Sequence, residues 1–303
     1  MLTMPDIHVD GAYAPSTMRA IRGDWGRFST WCQAQNCQSI PADPDRIVQY
    51  ISHMSTTKKI ATIRKALASI GHVHQTEGHQ NPTGSRTVKM AIRKLEMEQG
   101  ERQRQAKGLT IEVIKAIQKV ADPEAIRDIR DLAMIMMAYD TMARRSELVR
   151  LDMCDISYKV DGSATILIRR SKTDQTGKGS IRYVSASTVI HVNKWYIRMG
   201  EYKEGPIWRG IYNTGKVLGR LSDAGVCRAI KRMVERAGFD PVGYSGHSCR
   251  IGAAQDQAAA GISLVAIQQA GGWRSPGMPA RYAEGIEASR GGAAQLARIQ
   301  GRS

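Results

Sequence analysis

The amino-acid sequence predicts a mainly α-helical protein with one small β-hairpin, divided into two domains. Apolar residues recur at steps of three and four through most of the 303 residues, as they do in amphipathic helices. The stretch 163–187 instead holds two runs rich in β-branched residues. The segment 100–108 has no apolar stripe and a glycine at each end, which is typical of a linker. We therefore place the domains at 1–105 and 106–303.

The first domain is expected to be a compact helical bundle. Met18, Ile21, Trp25 and Phe28 mark a helical stripe that opens at Ser16 and runs to about Gln35. Similar stripes occupy 44–54, 57–76 and 84–98, each bounded by Pro, Gly or Asn.

The second domain is predicted to mix helices with the hairpin. The runs 164–169 and 181–184 are β-type and flank a glycine-rich turn, so they favour an antiparallel pair. Helical stripes are found at 110–121, 124–142, 187–199, 222–237, 247–260, 263–270 and 288–299.

The charge indicates a polyanionic partner. The net charge is +16, from 44 Lys and Arg against 28 Asp and Glu. The chain has 15 basic and 9 acidic residues before Gly108, and 29 basic and 19 acidic residues after it. Both domains are therefore cationic. This pattern fits a protein that touches nucleic acid with both domains, although a merely basic protein would share it.

Export and metal binding are not indicated. The sequence has no secretory signal and no apolar run long enough to span a bilayer. Five scattered cysteines without a Cys-x-x-Cys pair fit free thiols in a reducing compartment, so we expect a cytoplasmic protein. His72 and His74 lie two apart in a helical stretch and point apart, and we expect no metal or other cofactor.

Two segments carry candidate catalytic residues, each of which also has a non-catalytic explanation. Arg144 and Glu147 lie one helical turn apart, where the carboxylate can hold the guanidinium; a solvated ion pair is the alternative. Lys172 follows the first β-run, where a hairpin can deliver its ammonium into a cleft, although such lysines are commonly just solvated.

A third segment supplies an anion clamp. His247 and Arg250 are three apart, so both can bond one small anion such as a phosphate. Trp273 follows two glycines, and Tyr282, nine residues further on, is a candidate nucleophile. Taken singly, each has a structural explanation as a packed or satisfied residue.

Together these residues resemble the tyrosine recombinase (phage integrase) family, and most closely its Cre-like branch. The shared pattern is Arg-x-x-Glu, a hairpin Lys, His-x-x-Arg, Gly-Gly-Trp and a Tyr nine residues after the Trp. It extends to Ala138–Met142, Ser245–Ser248 and Gln269–Trp273, and to the linker and first domain.

The resemblance implies a two-domain, C-shaped DNA clamp with a SAM-like core-binding domain and a catalytic domain. It implies that Arg144 and Arg250 bind the scissile phosphate, Glu147 supports the site, and His247 hydrogen-bonds the phosphoryl oxygens or takes up a proton. Trp273 stands where many relatives have a second His. Lys172 would be the general acid and Tyr282 the nucleophile that forms a 3′-phosphotyrosine.

The resemblance also implies how the protein assembles on DNA. Strand exchange would pass through a Holliday junction, in a homotetramer built on inverted-repeat sites by exchange of the C-terminal helix 288–299. A frayed tail is the alternative for that helix. Two basic clusters are candidate DNA contacts: Lys58, Lys59, Arg64 and Lys65 on one predicted helix, and Arg228, Lys231 and Arg232 on another. A bacterial, phage or plasmid source is expected.

Other functions remain open at this point. A type IB topoisomerase or telomere resolvase would use the same chemistry, and a non-catalytic protein could keep the fold for DNA binding alone. Pro276, Gly277 and Pro279 also predict a less continuous helix before Tyr282 than the family usually has.

Overall fold

The computed structural model describes residues 13–100, 105–169, 179–200, 202 and 204–302. The chain divides into two compact units, 1–103 and 104–303. Helices dominate both units, and the described strands lie in the second. The predicted mainly helical fold with a small β-hairpin is therefore confirmed.

The first unit is built from four described helices around an apolar core. They are α1 (Pro15–Ala34), α2 (Pro44–Ser55), α3 (Ile60–Thr76) and α4 (Arg86–Gln99), with a 3-10 turn at Pro82–Gly84. Trp25, Phe28, Ile47 and Ile63 are among the buried side chains of this core. The stripes of the sequence thus mark the buried face of each helix.

Helix α3 begins later than predicted. The expected helix 57–76 starts at Ile60, and Lys59 is its N-cap. Lys58 and Lys59 therefore precede the helix, although both line a surface cavity together with Arg64.

The second unit packs nine described helices around a large core and two small antiparallel sheets. The helices before the first sheet are α5 (Ile111–Val120), α6 (Ile126–Thr141) and α7 (Arg145–Leu148). The strands and intervening helix are β1 (Ile156–Tyr158), β2 (Ala164–Ile168), β3 (Ser180–Val184), α8 (Ala186–Met199), β4 (Arg209–Ile211) and β5 (Val217–Arg220). The remaining helices are α9 (Asp223–Arg236), α10 (Ser248–Ala259), α11 (Leu264–Gly271), α12 (Gly277–Arg290) and α13 (Gly292–Ile299).

The predicted hairpin is present as β2 and β3. These strands pair antiparallel, with Ile166 opposite Arg182 and Leu167 opposite Ile181. Strand β1 extends the sheet on the other side of β2. Residues 170–178, which include Lys172, lie outside the described residues.

Helix α10 is held against the start of the second unit. The Leu109 backbone N–H donates to the Ser248 carbonyl at 2.8 Å, and the Lys107 N–H donates to that of Gly243 at 3.0 Å. A Cβ at Gly252 would lie 2.0 Å from the Leu109 carbonyl oxygen, so only glycine permits this approach. The predicted linker therefore ends on the helix that carries Arg250.

Tyr282 lies within α12, and the interruption that the prolines predict lies before this helix. Pro276 is the N-cap of α12, and Pro279 lies in its first turn, where backbone N–H groups have no intrahelical acceptor. The interruption falls earlier, between α11 and α12. The predicted terminal helix 288–299 is likewise divided, since α12 ends at Arg290 and α13 begins at Gly292.

No helix within the described ranges is long and apolar enough to cross a membrane.

Candidate active site

Glu147 is a buried carboxylate that orients Arg144. Arg144 is the N-cap of α7, just after Met142 turns the chain in a left-handed conformation with φ of 50°. The Glu147 carboxylate accepts a hydrogen bond from the Arg144 backbone N–H at 2.8 Å and another from its Nη1 at 2.6 Å. Glu147 is only 4% exposed, so this pair is not an ion pair on a solvated face. It fixes the direction of the guanidinium.

Arg250 is a buried cation with unused hydrogen-bonding capacity. Its side chain extends from the first turn of α10, and the residue is 3% exposed. Nη1 donates to the Met142 carbonyl, whereas Nη2 has no partner among the described residues. Burial, with the nearby charges of Arg144 and Arg182, lowers the pKa of Arg250 to about 9, although Glu147 opposes this shift. A bound anion would satisfy Nη2 and relieve the charge repulsion.

Trp273 joins Arg250 to Tyr282. The Arg250 guanidinium carbon lies 3.9 Å from the centroid of the Trp273 ring, a stacked cation–π arrangement. The Tyr282 ring meets the same indole edge-on, with centroids 5.9 Å apart. Helix α12 is itself held by Ala283, which packs with Ala254 and Ala258 of α10. The half-buried tyrosine is thereby kept near Arg250.

The two glycines before Trp273 are required by the packing. A Cβ at Gly271 would lie 1.9 Å from the Trp273 ring, and one at Gly272 would lie 1.9 Å from Arg182 Nη2. Gly272 also has φ of 61°, which side chains disfavour. The Gly-Gly-Trp spacing thus lets the indole fold back over the end of α11.

His247 stands at the start of α10 with its ring in its neutral form. It is the N-cap residue and is exposed. Desolvation by the surrounding protein lowers its pKa first, followed by the charges of Arg145, Arg250 and Arg144, while Glu147 opposes them. A pKa below the ordinary value of about 6.5 leaves a neutral ring at pH 7 that can accept a proton.

Sequence reasoning missed two arginines. Arg182 is buried on β3, and Arg145 follows Arg144 and contacts α9, with Nη1 3.4 Å from Cys227 Sγ and Nε 3.5 Å from an Asp223 oxygen. A signal existed for Arg182, because alternation along β3 places it on the same inward face as Val184.

The predicted first-unit contacts differ in how they are held. Arg64 forms an ion pair with Glu96, and Lys65 Nζ lies 3.5 Å from an Asp24 oxygen. Both remain exposed, as do Lys58 and Lys59.

The cluster on α9 is divided between two faces. Arg228 and Lys231 are exposed. Arg232 instead turns toward α6, where its guanidinium donates to Asp128 at 2.8 Å and to Asp131 at 2.7 Å. The carboxylates of α6 thus occupy the Arg232 guanidinium, which the sequence had grouped with the DNA contacts.

Within the part of the chain that the structure describes, no group of three or more His, Cys, Asp or Glu side chains is placed to hold a metal ion.

Comparison with known proteins agrees with this arrangement. Residues 107–287 match the family model described as the phage integrase family. The chain is 30% identical over 280 residues to the integrase/recombinase xerD homolog of Selenomonas ruminantium, covering 89% of this chain and 82% of that relative. It is 26% identical over 306 residues to recombinase Cre of Escherichia phage P1, covering 94% and 88%.

Solved structures of other proteins also resemble this chain. The XerH site-specific recombinase, bound to a palindromic difH substrate in a post-cleavage complex, matches with a TM-score of 0.61 at 16% identity, covering 88% of this chain and 73% of that one. At this identity the likeness establishes the fold alone.

The chain therefore belongs to the phage integrase family and is a tyrosine-type site-specific DNA recombinase. The resemblance recognised in its sequence is confirmed.

Proposed function

We propose that this recombinase breaks and rejoins DNA through a covalent 3′-phosphotyrosine at Tyr282. The observation that carries the proposal is the buried Arg250 guanidinium, which has an unpartnered Nη2 and lies against the indole that also contacts Tyr282. A phosphodiester is an anion of the right shape for two guanidinium groups fixed in this way.

The proposed chemistry gives each of these residues, and Lys172 by the family resemblance, one role. The Tyr282 oxygen attacks the scissile phosphorus and the 5′-oxygen leaves, so one P–O bond forms as another breaks. Arg144 and Arg250 stabilise the charge that grows on the phosphoryl oxygens, and Glu147 keeps Arg144 in place. Neutral His247 takes the phenolic proton or hydrogen-bonds the phosphate, and Lys172 protonates the leaving oxygen. Attack by a 5′-hydroxyl of a second DNA reverses these steps and exchanges the strands.

The proposal extends to the two domains, their DNA contacts and the assembly. Residues 1–105 would form the core-binding domain and 106–303 the catalytic domain. Lys58, Arg228 and Lys231 are exposed cations suited to DNA phosphates. On α13, Leu296 and Ile299 are exposed apolar side chains, which fits burial on a neighbouring copy in a tetramer that resolves a Holliday junction on inverted repeats. The sources of the relatives fit action on DNA in a bacterial cytoplasm.

The test is trapping of the covalent intermediate. Nicked duplex suicide substrates tiled across the DNA that flanks the gene are incubated with the protein, and adducts are resolved on a denaturing gel. We expect an adduct with the wild type and with Tyr212→Phe, an exposed tyrosine of the same unit, and none with Tyr282→Phe. Absence of an adduct with the wild type, or its persistence in Tyr282→Phe, contradicts the proposal.

The tetramer is tested separately by replacing the two exposed apolar residues of α13. Leu296→Glu with Ile299→Glu should leave the suicide adduct intact but prevent recombination and assembly of two sites on native gels. Unchanged assembly would show that the exposed apolar residues of α13 do not hold the tetramer together.

A further inference from the structure

Arg182 is a buried cation for which the described residues provide no counter-ion. It is 9% exposed on the inner face of β3, and no described carboxylate lies within salt-bridge distance of it. Its Nη1 donates to the backbone carbonyls of Gln269, at 3.1 Å, and Ala270. Burial, together with the charge of Arg144, lowers its pKa, against the opposing charge of Glu147. Burying a charge in this way is unfavourable, so its position needs an explanation.

The two carbonyl groups that bind Arg182 lie at the C-terminal end of α11, the helix before Trp273. Gln269 and Ala270 lie in the last turn of α11, where a cation is favoured by the helix dipole. The Gln269 carbonyl accepts from the Gly272 N–H at 3.0 Å as well as from Arg182. The guanidinium also packs against the Gly272 backbone, because a Cβ there would lie 1.9 Å from Nη2. Arg182 therefore fixes the turn in which α11 ends.

That turn leads directly into the active site. Trp273 is the next residue, and its ring contacts both the Arg250 guanidinium and the Tyr282 ring. A shift of the turn would move the indole away from both groups. Geometry of this kind is sensitive, since a misplacement of about 1 Å can reduce a reaction rate about 100-fold.

We propose that Arg182 is a positioning residue for the cleavage reaction: it holds the α11–Trp273 turn so that the indole keeps Arg250 and Tyr282 aligned on the phosphate. It acts through these residues. The proposal deepens the function proposed above and rests on it.

A matched pair of buried arginines provides the test. Arg209 is equally buried in the same unit, donates to the Glu204 carbonyl at 3.1 Å and stacks on Tyr202. Among the described residues it makes no contact with Arg144, Arg250, Trp273 or Tyr282. We compare Arg182→Met, Arg182→Lys and Arg209→Met by single-turnover adduct formation and, separately, by the Kd for the same DNA, at temperatures below unfolding.

The expected effect is on the cleavage rate and not on the affinity for DNA. Arg182→Met should lower the cleavage rate about 10- to 100-fold with Kd changed less than about threefold. Arg182→Lys should recover part of the rate, because an ammonium can still donate to the carbonyls but lacks the planar guanidinium. Arg209→Met should cleave at the wild-type rate. An unchanged rate in Arg182→Met, or a change confined to Kd, overturns the proposal.

Gly272 supplies a second variant. Gly272→Ala places a methyl group against the guanidinium and should slow cleavage in the wild-type background. In an Arg182→Met background the same change should cost much less, because the shorter, uncharged side chain leaves room. Strictly additive effects would show that the two residues do not act together.

Hydrogen exchange separates this proposal from the catalytic one. The Gly272 and Trp273 N–H groups each donate to a carbonyl of α11 at 3.0 Å. Exchange at these two amides should be faster in Arg182→Met than in the wild type or Arg209→Met, whether or not an adduct forms. Equal exchange in all three proteins contradicts the role of Arg182, whereas a missing wild-type adduct contradicts only the function proposed for the site.

Discussion

The second unit holds its cations in two different ways. Arg144, Arg182 and Arg250 are wholly or largely buried, and each is held by a carboxylate, backbone carbonyls or an indole. Arg228 and Lys231 are exposed on α9, where water and salt screen their charges. Under the proposed function, Arg144 and Arg250 would stabilise one anion in one geometry and Arg182 would hold them in place, whereas Arg228 and Lys231 would make weak phosphate contacts.

Helix α9 shows the same contrast within one element. Arg232 is one residue from Lys231, yet it bridges two carboxylates of α6, while Lys231 is exposed to solvent. Basic residues that are adjacent in the sequence can therefore have separate roles, one in stability and one in binding.

The largest effect is expected from the buried group. Arg250→Met should lower the single-turnover rate of adduct formation by about 100- to 1,000-fold, because a fixed donor to the transition state is lost. Arg250→Lys should not restore the rate, since an ammonium can neither stack on Trp273 nor bond bidentately. DNA affinity, measured on the same substrates, should change far less. An equal loss in rate and affinity would show that buried Arg250 does not differ from the exposed cations in its effect.

An intermediate effect is expected from Arg232. Arg232→Ala leaves two buried carboxylates with fewer partners and should lower the free energy of unfolding by about 1–3 kcal/mol, measured by urea titration. Arg236 and Arg130 still pair with these carboxylates, which limits the loss. The matched Arg228→Ala should stay within about 0.5 kcal/mol of the wild type. Equal stability of the two variants would show that the α6 contacts contribute little.

The smallest effect is expected from the exposed pair. Arg228→Ala and Lys231→Ala should each weaken DNA binding several-fold and reduce the slope of log K against log salt concentration by about 0.9. Lys194→Ala, an exposed lysine on α8 outside the predicted clusters, serves as the control. An unchanged salt slope in both α9 variants would show that Arg228 and Lys231 do not contact DNA phosphates.

Much of the site was predictable because its signals are local or sequential. Arg144 with Glu147 and His247 with Arg250 are each three residues apart, and the order of motifs along the chain identified the family. The hairpin was predictable from its two β-type runs. By contrast, the delayed start of α3 at Ile60 and the start of α12 at Gly277 depend on capping and first-turn positions that periodicity locates poorly.

The sequence by itself determined the helical class, the two cationic halves and the pairing of Arg144 with Glu147, because spacing sets which side chains share a helix face. Only the tertiary structure decided which cations are buried. Arg182 reaches carbonyls 87 and 88 residues away, and Arg232 reaches carboxylates about a hundred residues earlier. A long side chain is directed by whichever distant segment packs beside it, and that neighbour is set by the fold as a whole rather than by the local pattern.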